Sequence, residues 1–134
     1  MDPTQLLQSS MPLCATLGIT GSEAAPDRVV AHLDWRPDLC TSGGLLHGGA
    51  VMTLADAAGA ACAFLNLPEG AIGTSTIESK TNFLGAVREG ATLTATATPL
   101  HRGRTTIVIE TELRLDDGRL VGKTTQTQTV LHPH

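Results

Sequence analysis

A single carboxylate stands in the most apolar stretch of the sequence. From Leu39 to Pro68 there is one acid, Asp56, and no Lys or Arg, and its neighbours are Ala, Gly, Val, Leu and Met. Such an acid can face a solvent gap or pair with a basic group from a strand. It can also be a base or nucleophile, because burial leaves a carboxylate poorly solvated and reactive. The residue alone leaves both interpretations open.

His47, Gly48 and Gly49 stand upstream of this acid, at the predicted start of a helix. Backbone N–H groups in a first helical turn lack internal partners, and glycine there lets a ligand oxygen reach them. The ring of His47 can donate to the same oxygen, or it can be satisfied by the backbone. A carbonyl-polarising amide, an imidazole and a carboxylate are together the groups that acyl transfer uses.

The spacing of these groups constrains how they can cooperate. Asp56 follows Gly48 by eight residues, which is about 12 Å along a helix. One reacting carbon cannot lie ~3 Å from both groups. If both serve one reaction, they come from two chains related by a two-fold axis. The spacing therefore predicts an active site shared between subunits.

The elements that must position these residues follow from the hydrophobic pattern. A short helix broken near Pro12 is predicted at the start, and a helix buried all round over 48–65, where nearly every residue is apolar. Alternating patterns predict strands at about 28–35, 72–84, 91–101, 104–115 and 119–131. One strand, a long buried helix and an antiparallel meander give an α+β domain, whose exposed sheet edges predict pairing with a second chain.

Composition narrows the classes of function. The chain of 134 residues is predicted to form one domain, 1–134. Its net charge is −4 and its only aromatic residues are Trp35, Phe64 and Phe83, so the stacking platforms and basic patches of nucleic-acid-binding proteins are missing. Asp56 lies at the centre of the one apolar stretch that approaches the length of a membrane span, which argues against insertion.

Cysteine usage and the N-terminus predict a cytoplasmic protein. Cys14, Cys40 and Cys62 are widely spaced and form no CxxC pattern, so neither a disulfide framework nor a zinc site is expected. Cys62, on the predicted helix, is expected to fill the core. No basic residue precedes Arg28, which argues against a secretory signal.

Three stretches together carry a family likeness. GGLLHGGAVMTLADAAG, followed by TSTIESKTNFLGAVREG and LHRGRTTIVIETELRLDDGRLVGKTTQTQTVL, resembles the hotdog-fold acyl-CoA thioesterases, in the branch related to phenylacetate-pathway thioesterases. The likeness extends from about Asp27 to Leu131. It implies a hotdog homodimer, often doubled to a tetramer, that hydrolyses a thioester of coenzyme A or acyl carrier protein. No cofactor is implied beyond the coenzyme A of the substrate.

The resemblance also implies roles for individual residues. Asp56 takes the place of the acid that activates water or attacks the carbonyl, the Gly48 amide polarises the thioester, and His47 supports it, with Gly49 beside it in the substrate site. Ser75 lies near a hydroxyl that holds water in some relatives, with Thr74 as the alternative. Thr41 stands where such enzymes commonly carry Asn or Gln to orient water, a departure that puts this role in question.

The substrate itself is predicted only in outline. The cluster HRGR supplies Arg102 and Arg104 as candidates for the phosphates of coenzyme A, unless it is a solvated hairpin turn, with Arg88 and Lys123 as weaker candidates. The acyl pocket is expected to include Met52, Leu54 and Phe83. The predicted function is hydrolysis of an aryl- or medium-chain acyl-CoA. The alternatives are a non-hydrolytic acyl-CoA-binding or regulatory module, and a hotdog hydratase or dehydratase, whose pairing of His and acid is not found.

Overall fold

A six-stranded antiparallel sheet wraps around one long helix. The computed structural model describes residues 1–134. The helices are α1 (Pro3–Ser10), α2 (Pro12–Leu17) and α3 (Gly48–Phe64), with two short 3-10 turns at Pro37–Leu39 and Ser42–Gly44. The strands are β1 (Thr20–Ala25), β2 (Arg28–Asp34), β3 (Gly73–Phe83), β4 (Thr92–Arg102), β5 (Thr106–Arg114) and β6 (Leu120–Leu131). The predicted α+β class, the break at Pro12 and the long helix are confirmed.

The strand order differs from the predicted meander. The sheet runs β1-β2-β4-β5-β6-β3, so β3 crosses over to pair with β6 instead of continuing into β4. Only β4, β5 and β6 form a meander. β1 was not predicted because its sequence, TGSEAA, lacks the branched and aromatic residues that mark strands. The crossover leaves β3, the strand that follows α3, at a free edge of the sheet.

The inner face of α3 packs closely on the sheet because its side chains are small. Ala55, Ala58 and Cys62 are completely buried, and they face strands that also present alanine, such as Ala95 and Ala97 of β4. Small residues on both elements let the two backbones approach each other. Cys62 therefore fills the core, as predicted. No helix of the chain is long and apolar enough to cross a membrane.

The prediction that α3 is buried all round is wrong. One face of the helix remains half-buried or exposed along its whole length, and we call it the open stripe. It is formed by Gly49, Met52, Thr53, Asp56, Ala60 and Phe64. Their spacing of three or four residues places them on one side of a helix, and the apolar character of most of them concealed this face in the sequence.

The free edge of the sheet is also apolar. β3 exposes Ile77 and Phe83, whose side chains are 62% and 52% accessible, and Leu84 follows at 59%. A long edge strand with unpaired backbone groups and exposed hydrophobic side chains is a template for pairing with another chain. The sheet thus has two edge strands, of which β3 is exposed as the sequence predicted, while β1 packs against α1.

Candidate active site

Hydrogen bonds to neighbouring connecting segments hold the loop before α3 and fix where the helix begins. The backbone N–H of His47 donates to Leu39 O at 2.9 Å, and that of Leu46 donates to Val87 O at 3.0 Å. The indole N–H of Trp35 donates to Gly44 O at 2.9 Å. These hydrogen bonds hold the turn-rich segment so that the first turn of α3 faces solvent.

One backbone amide at this helix start is free. His47 is the N-cap, and its Nδ1 accepts a hydrogen bond of 2.8 Å from the Gly49 N–H. With Nδ1 as the acceptor, the neutral ring carries its proton on Nε2 and can donate it outward. The Gly48 N–H donates to nothing within the chain. Of the two glycine amides considered, only that of Gly48 remains for a ligand.

Phe83 forms an apolar wall beside that amide. A Cβ atom on Gly48 would lie 3.4 Å from the Phe83 ring, so the end of β3 packs directly on the start of α3. The absence of a side chain at Gly48 is what leaves the space between the ring and the backbone open. Phe83, predicted to line the acyl pocket, lies instead at the candidate carbonyl site.

Asp56 lies half-buried on the open stripe and forms no ion pair. Its Oδ1 accepts two hydrogen bonds, one of 2.9 Å from Thr76 Oγ1 and one of 3.0 Å from Gln126 Nε2. Its Oδ2 accepts none within the chain. The interpretation of Asp56 as one half of a buried ion pair is therefore not supported, and one carboxylate oxygen is left open.

The hydroxyl beside Asp56 belongs to Thr76, which was not among the predicted residues. Ser75 is exposed and lies opposite Thr129 of β6. Thr74, the residue before Ser75 at the start of β3, lines a cavity. Neither contacts Asp56 through a hydrogen bond. The length of the loop before β3 is not determined by any sequence pattern, and a shift of one residue from Ser75, or two from Thr74, leads to Thr76.

Thr41 lies outside this cluster. Its side chain is exposed and makes no hydrogen bond, and its backbone N–H donates to Leu45 O at 2.8 Å. It lines a surface groove together with Trp35 and Arg88. Within one chain, the structure therefore does not bring Thr41 to Asp56.

A cavity of about 350 Å³ opens one helical turn beyond Asp56. Its walls come from α3, from the start of β3 and from the N-terminal helices, and none of its lining residues is charged. They include Ala60, Phe64, Thr74, Leu6 and Met11. Of the residues predicted to line the acyl pocket, Leu54 is completely buried in the core, and Met52 lies on the open stripe outside this cavity.

The predicted phosphate ligands, Arg102 and Arg104, lie at the end of β4 and in the turn that follows it. Arg102 and Arg104 are exposed and form no ion pair. Burial raises the pKa of the Cys62 thiol to about 11, while the positive charge of Arg102 acts in the opposite direction. Lys123 is paired with Glu110 at 3.6 Å and is less available for a ligand.

A curved antiparallel sheet around one long helix is the hotdog fold, and comparisons with known proteins specify the family. The thioesterase superfamily model matches residues 43–122. The chain belongs to this family and is a thioester hydrolase. An inferred esterase of Bacillus subtilis, ComA2, is 35% identical over 109 residues, which are 81% of this chain and 86% of that protein.

Solved structures agree with this assignment. Thioesterase HI1161 of Haemophilus influenzae superposes with a TM-score of 0.88 at 28% identity, over 98% of this chain and 92% of that one. The phenylacetic acid degradation protein PaaI of Thermus thermophilus superposes with a TM-score of 0.82 at 26% identity, over 90% of this chain and 99% of that one. A hypothetical thioesterase of Streptococcus pneumoniae, solved with coenzyme A, superposes with a TM-score of 0.77 at 26% identity, over 87% of this chain and 88% of that one. The hotdog thioesterase of the PaaI-like branch predicted from the sequence is confirmed.

Proposed function

We propose that this protein hydrolyses an aryl- or medium-chain acyl-CoA thioester to the free acid and coenzyme A, as a homodimer with shared active sites. The observation that carries the proposal is the pair of free groups on α3, the Gly48 N–H and the Asp56 Oδ2. They are eight residues apart, about 12 Å along the helix axis. One group polarises the thioester carbonyl and the other supplies the negative charge that hydrolysis requires.

The reaction follows from these two groups. The Gly48 N–H, supported by the Nε2–H of His47, donates to the thioester oxygen as negative charge develops there. As a base, Asp56 removes a proton from water, the hydroxide adds to the carbonyl carbon, and the C–S bond breaks to release the thiolate, which takes up a proton. As a nucleophile, Asp56 Oδ2 attacks the carbonyl carbon and the C–S bond breaks to release the thiolate, which takes up a proton; water then hydrolyses the resulting mixed anhydride to the free acid and the Asp56 carboxylate. Neither route needs a cofactor besides the coenzyme A of the substrate.

The free edge of the sheet supports the dimer. If β3 pairs antiparallel with its own copy across a two-fold axis, the Phe83 end of one strand lies beside the Gly73 end of the other. Phe83 packs on Gly48 and Thr76 contacts Asp56. Such pairing carries the Gly48 amide of one subunit towards the Asp56 of the other, and it covers Ile77. Two such dimers are expected to associate into a tetramer, as the family resemblance implies.

The cavity beyond Asp56 supports the choice of acyl group. Its 350 Å³ corresponds to about twelve heavy atoms at ~30 Å³ each, which fits an aryl group or a medium alkyl chain. Its lining carries no charge, so an uncharged acyl group is favoured. The name of the Thermus protein, which refers to phenylacetic acid degradation, agrees with an aryl group.

The coenzyme A end is assigned to Arg102 and Arg104. The protein has a net charge of −4, so it must attract an anionic substrate with local cations. Both guanidinium groups are exposed and unpaired, and guanidinium binds phosphate with two parallel hydrogen bonds. The Streptococcus neighbour was solved with coenzyme A, which supports this class of substrate.

One assay tests the proposal. The purified protein is given a panel of aryl- and alkyl-CoA esters, and released thiol is detected with a dye. Hydrolysis of an aryl or medium-chain ester that is lost in Asp56→Asn is the expected result. Binding of the esters without thiol release would instead identify an acyl-CoA-binding module.

A further inference from the structure

Two glutamine side chains lie buried beneath the candidate active site. Gln126 and Gln128 of β6 are 0% and 1% exposed, and they point towards α3 from a strand whose other inward residues are small or apolar. Burying an amide is unfavourable unless its polar atoms are hydrogen-bonded. The contacts made by these amides therefore explain why this strand carries glutamine.

Both amides are directed towards one carboxylate oxygen. Gln126 Nε2 donates directly to Asp56 Oδ1 at 3.0 Å, and Gln128 Nε2 donates to Thr76 Oγ1. An amide nitrogen only donates, so Thr76 Oγ1 is the acceptor in that contact and its own proton points to Asp56 Oδ1, 2.9 Å away. The direction of the whole network is fixed, and it ends on Oδ1.

Gly59 provides the space for this arrangement. A Cβ atom on Gly59 would lie 2.0 Å from Gln126 Oε1 and 2.5 Å from its Cδ, so an alanine there would force the Gln126 amide out of its present position. Glycine inside a helix is less favourable than alanine, and α3 uses alanine at most of the neighbouring positions. The one interior glycine of the helix therefore stands where the amide of Gln126 requires it.

The position of the Gln126 amide does not provide hydrogen bonds for both of its polar atoms. Its Oε1 is buried and has no hydrogen-bond partner. A buried acceptor without a partner is unfavourable, so the side chain is held in an orientation that serves Asp56 through Nε2 and leaves Oε1 unpaired. Thr111 Oγ1 is the other buried side-chain atom without a partner, but Gln126 is the one whose amide also contacts the candidate catalytic acid, and a functional task is one explanation for an unpaired buried group.

We infer that Gln126 and Thr76 are positioning residues, which together fix Oδ1 of Asp56 so that Oδ2 alone meets the water or the thioester. The inference rests on the proposed function of Asp56. Two donors from different strands restrain the carboxylate from rotating, and they leave one defined oxygen on the open stripe. Gln128 acts through Thr76, and Gly59 through Gln126.

The first test replaces the Thr76 hydroxyl by a methyl group of the same shape. Thr76→Val is expected to lower kcat by about 10- to 100-fold, because misplacing a reacting group by ~1 Å has an effect of that order. KM stays unchanged, since Thr76 is not assigned a contact with coenzyme A. Thr76→Ser keeps the hydroxyl and is expected to retain most of the wild-type kcat.

The second test removes the Gln126 contact in two independent ways. Gln126→Met removes the donor while keeping the length of the side chain, and Gly59→Ala displaces the amide without removing any polar group. Both are expected to lower kcat with KM unchanged, and the double variant is expected to be no slower than the slower single variant, because both changes break the same hydrogen bond. Circular dichroism and thermal unfolding confirm that each variant is folded.

The outcomes separate this inference from the proposed function. Loss of kcat in Thr76→Val and Gln126→Met, with recovery in Thr76→Ser, supports positioning. Full kcat in Thr76→Val and Gln126→Met, while Asp56→Asn is inactive, overturns the positioning role and leaves the proposed function intact. Activity in Asp56→Asn overturns the proposed function itself. If Gly59→Ala does not fold, Thr76→Val, Thr76→Ser and Gln126→Met still test whether Thr76 and Gln126 position Asp56.

Discussion

The ring of Phe83 packs against the backbone of Gly48, where a Cβ atom would lie 3.4 Å from it. Further back along the same strand, Thr76 hydrogen-bonds to Asp56. β3 therefore runs antiparallel alongside the open stripe of α3, from the free amide past the carboxylate to the cavity. Whatever pairs with the free edge of β3 lies next to every group of the candidate site.

Replacing Asp56 by asparagine is the most direct test of the chemistry. Asparagine keeps Oδ1 as an acceptor for Thr76 and Gln126, and it exchanges only Oδ2 and the negative charge. We expect the fold to persist and kcat to fall by about 10²- to 10⁴-fold, the usual effect of a positioned base. Thiol release measures the rate. Asp34→Asn is the matched control, since that exposed acid accepts a threonine hydrogen bond of 2.7 Å on the outer face.

Labelled water distinguishes the two routes open to Asp56. In a single turnover with excess enzyme, label found in the Asp56 carboxylate identifies direct attack, because it enters there when water adds to the Asp56 side of the anhydride. If Asp56 acts as a base, the label is found only in the released acid. Mass spectrometry of the peptide that contains Asp56 and of the product measures both.

Arginines that bind phosphate should affect substrate binding alone. Replacing Arg102 and Arg104 together by alanine is expected to raise KM for acyl-CoA with little change in kcat, because contacts remote from the thioester bind ground and transition states alike. The effect should shrink at high salt. A truncated pantetheine thioester should not distinguish the variant from wild type, and an equal effect on it would argue against phosphate binding. Arg119→Ala removes a charge from another exposed turn as a control.

Filling the cavity should change substrate preference. Ala60→Leu places a larger side chain in the space assigned to the acyl group. It is expected to lower kcat/KM for aryl and medium-chain esters by about 10- to 100-fold, a typical effect of a few methylene groups in an apolar pocket. Acetyl-CoA, which does not reach the cavity, should be affected little. Met52→Leu is the control, because it alters the same helix face outside the cavity. If it changed kcat/KM across the esters in the same way as Ala60→Leu, the assignment of the cavity to the acyl group would be contradicted.

Cys62 should make stability sensitive to alkaline pH. Burial raises the pKa of its thiol from 9.0 to about 11, so the folded protein disfavours the thiolate that the unfolded chain forms more readily. This contribution to the free energy of unfolding is complete below pH 9.0 and is lost as the pH rises towards 11. Urea unfolding at neutral pH and near pH 11 should show a larger loss in wild type than in Cys62→Ala. Equal losses would show that the thiol does not titrate in this way.

The sequence identified the helix and its acid because both are local signals. An apolar run of small residues and a lone carboxylate within it can be recognised without knowing what lies opposite. Gln126 and Gln128 carry no such signal, since TTQTQT is polar on both faces and gives no contrast to show which side points inward. The position of β3 at the edge depends on long-range pairing with β6, which no local pattern encodes. Thr76 was missed for a different reason, the uncertain length of the loop before β3.

The shared site can be tested with two inactive variants. Asp56→Asn lacks the acid, and Gly48→Pro lacks the N–H assigned to the carbonyl. Proline suits the first position of a helix, and His47 before it has φ −63° and ψ 137°, an extended conformation that proline tolerates. The Gly48 N–H makes no hydrogen bond that would be lost. Each homodimer should therefore fold and be nearly inactive. Circular dichroism checks that each variant is folded.

Mixing the two variants should restore activity only if the site is shared. In a mixed dimer, one site joins the intact Asp56 of one chain to the intact Gly48 of the other, and the second site carries both changes. Random exchange makes about half of the dimers mixed, so about a quarter of all sites should recover under two-fold symmetry. If both groups served within one chain, every site would keep its own change and mixing would restore nothing. Thiol release after co-refolding decides between them, and inactive mixed dimers that are well folded would refute a shared site.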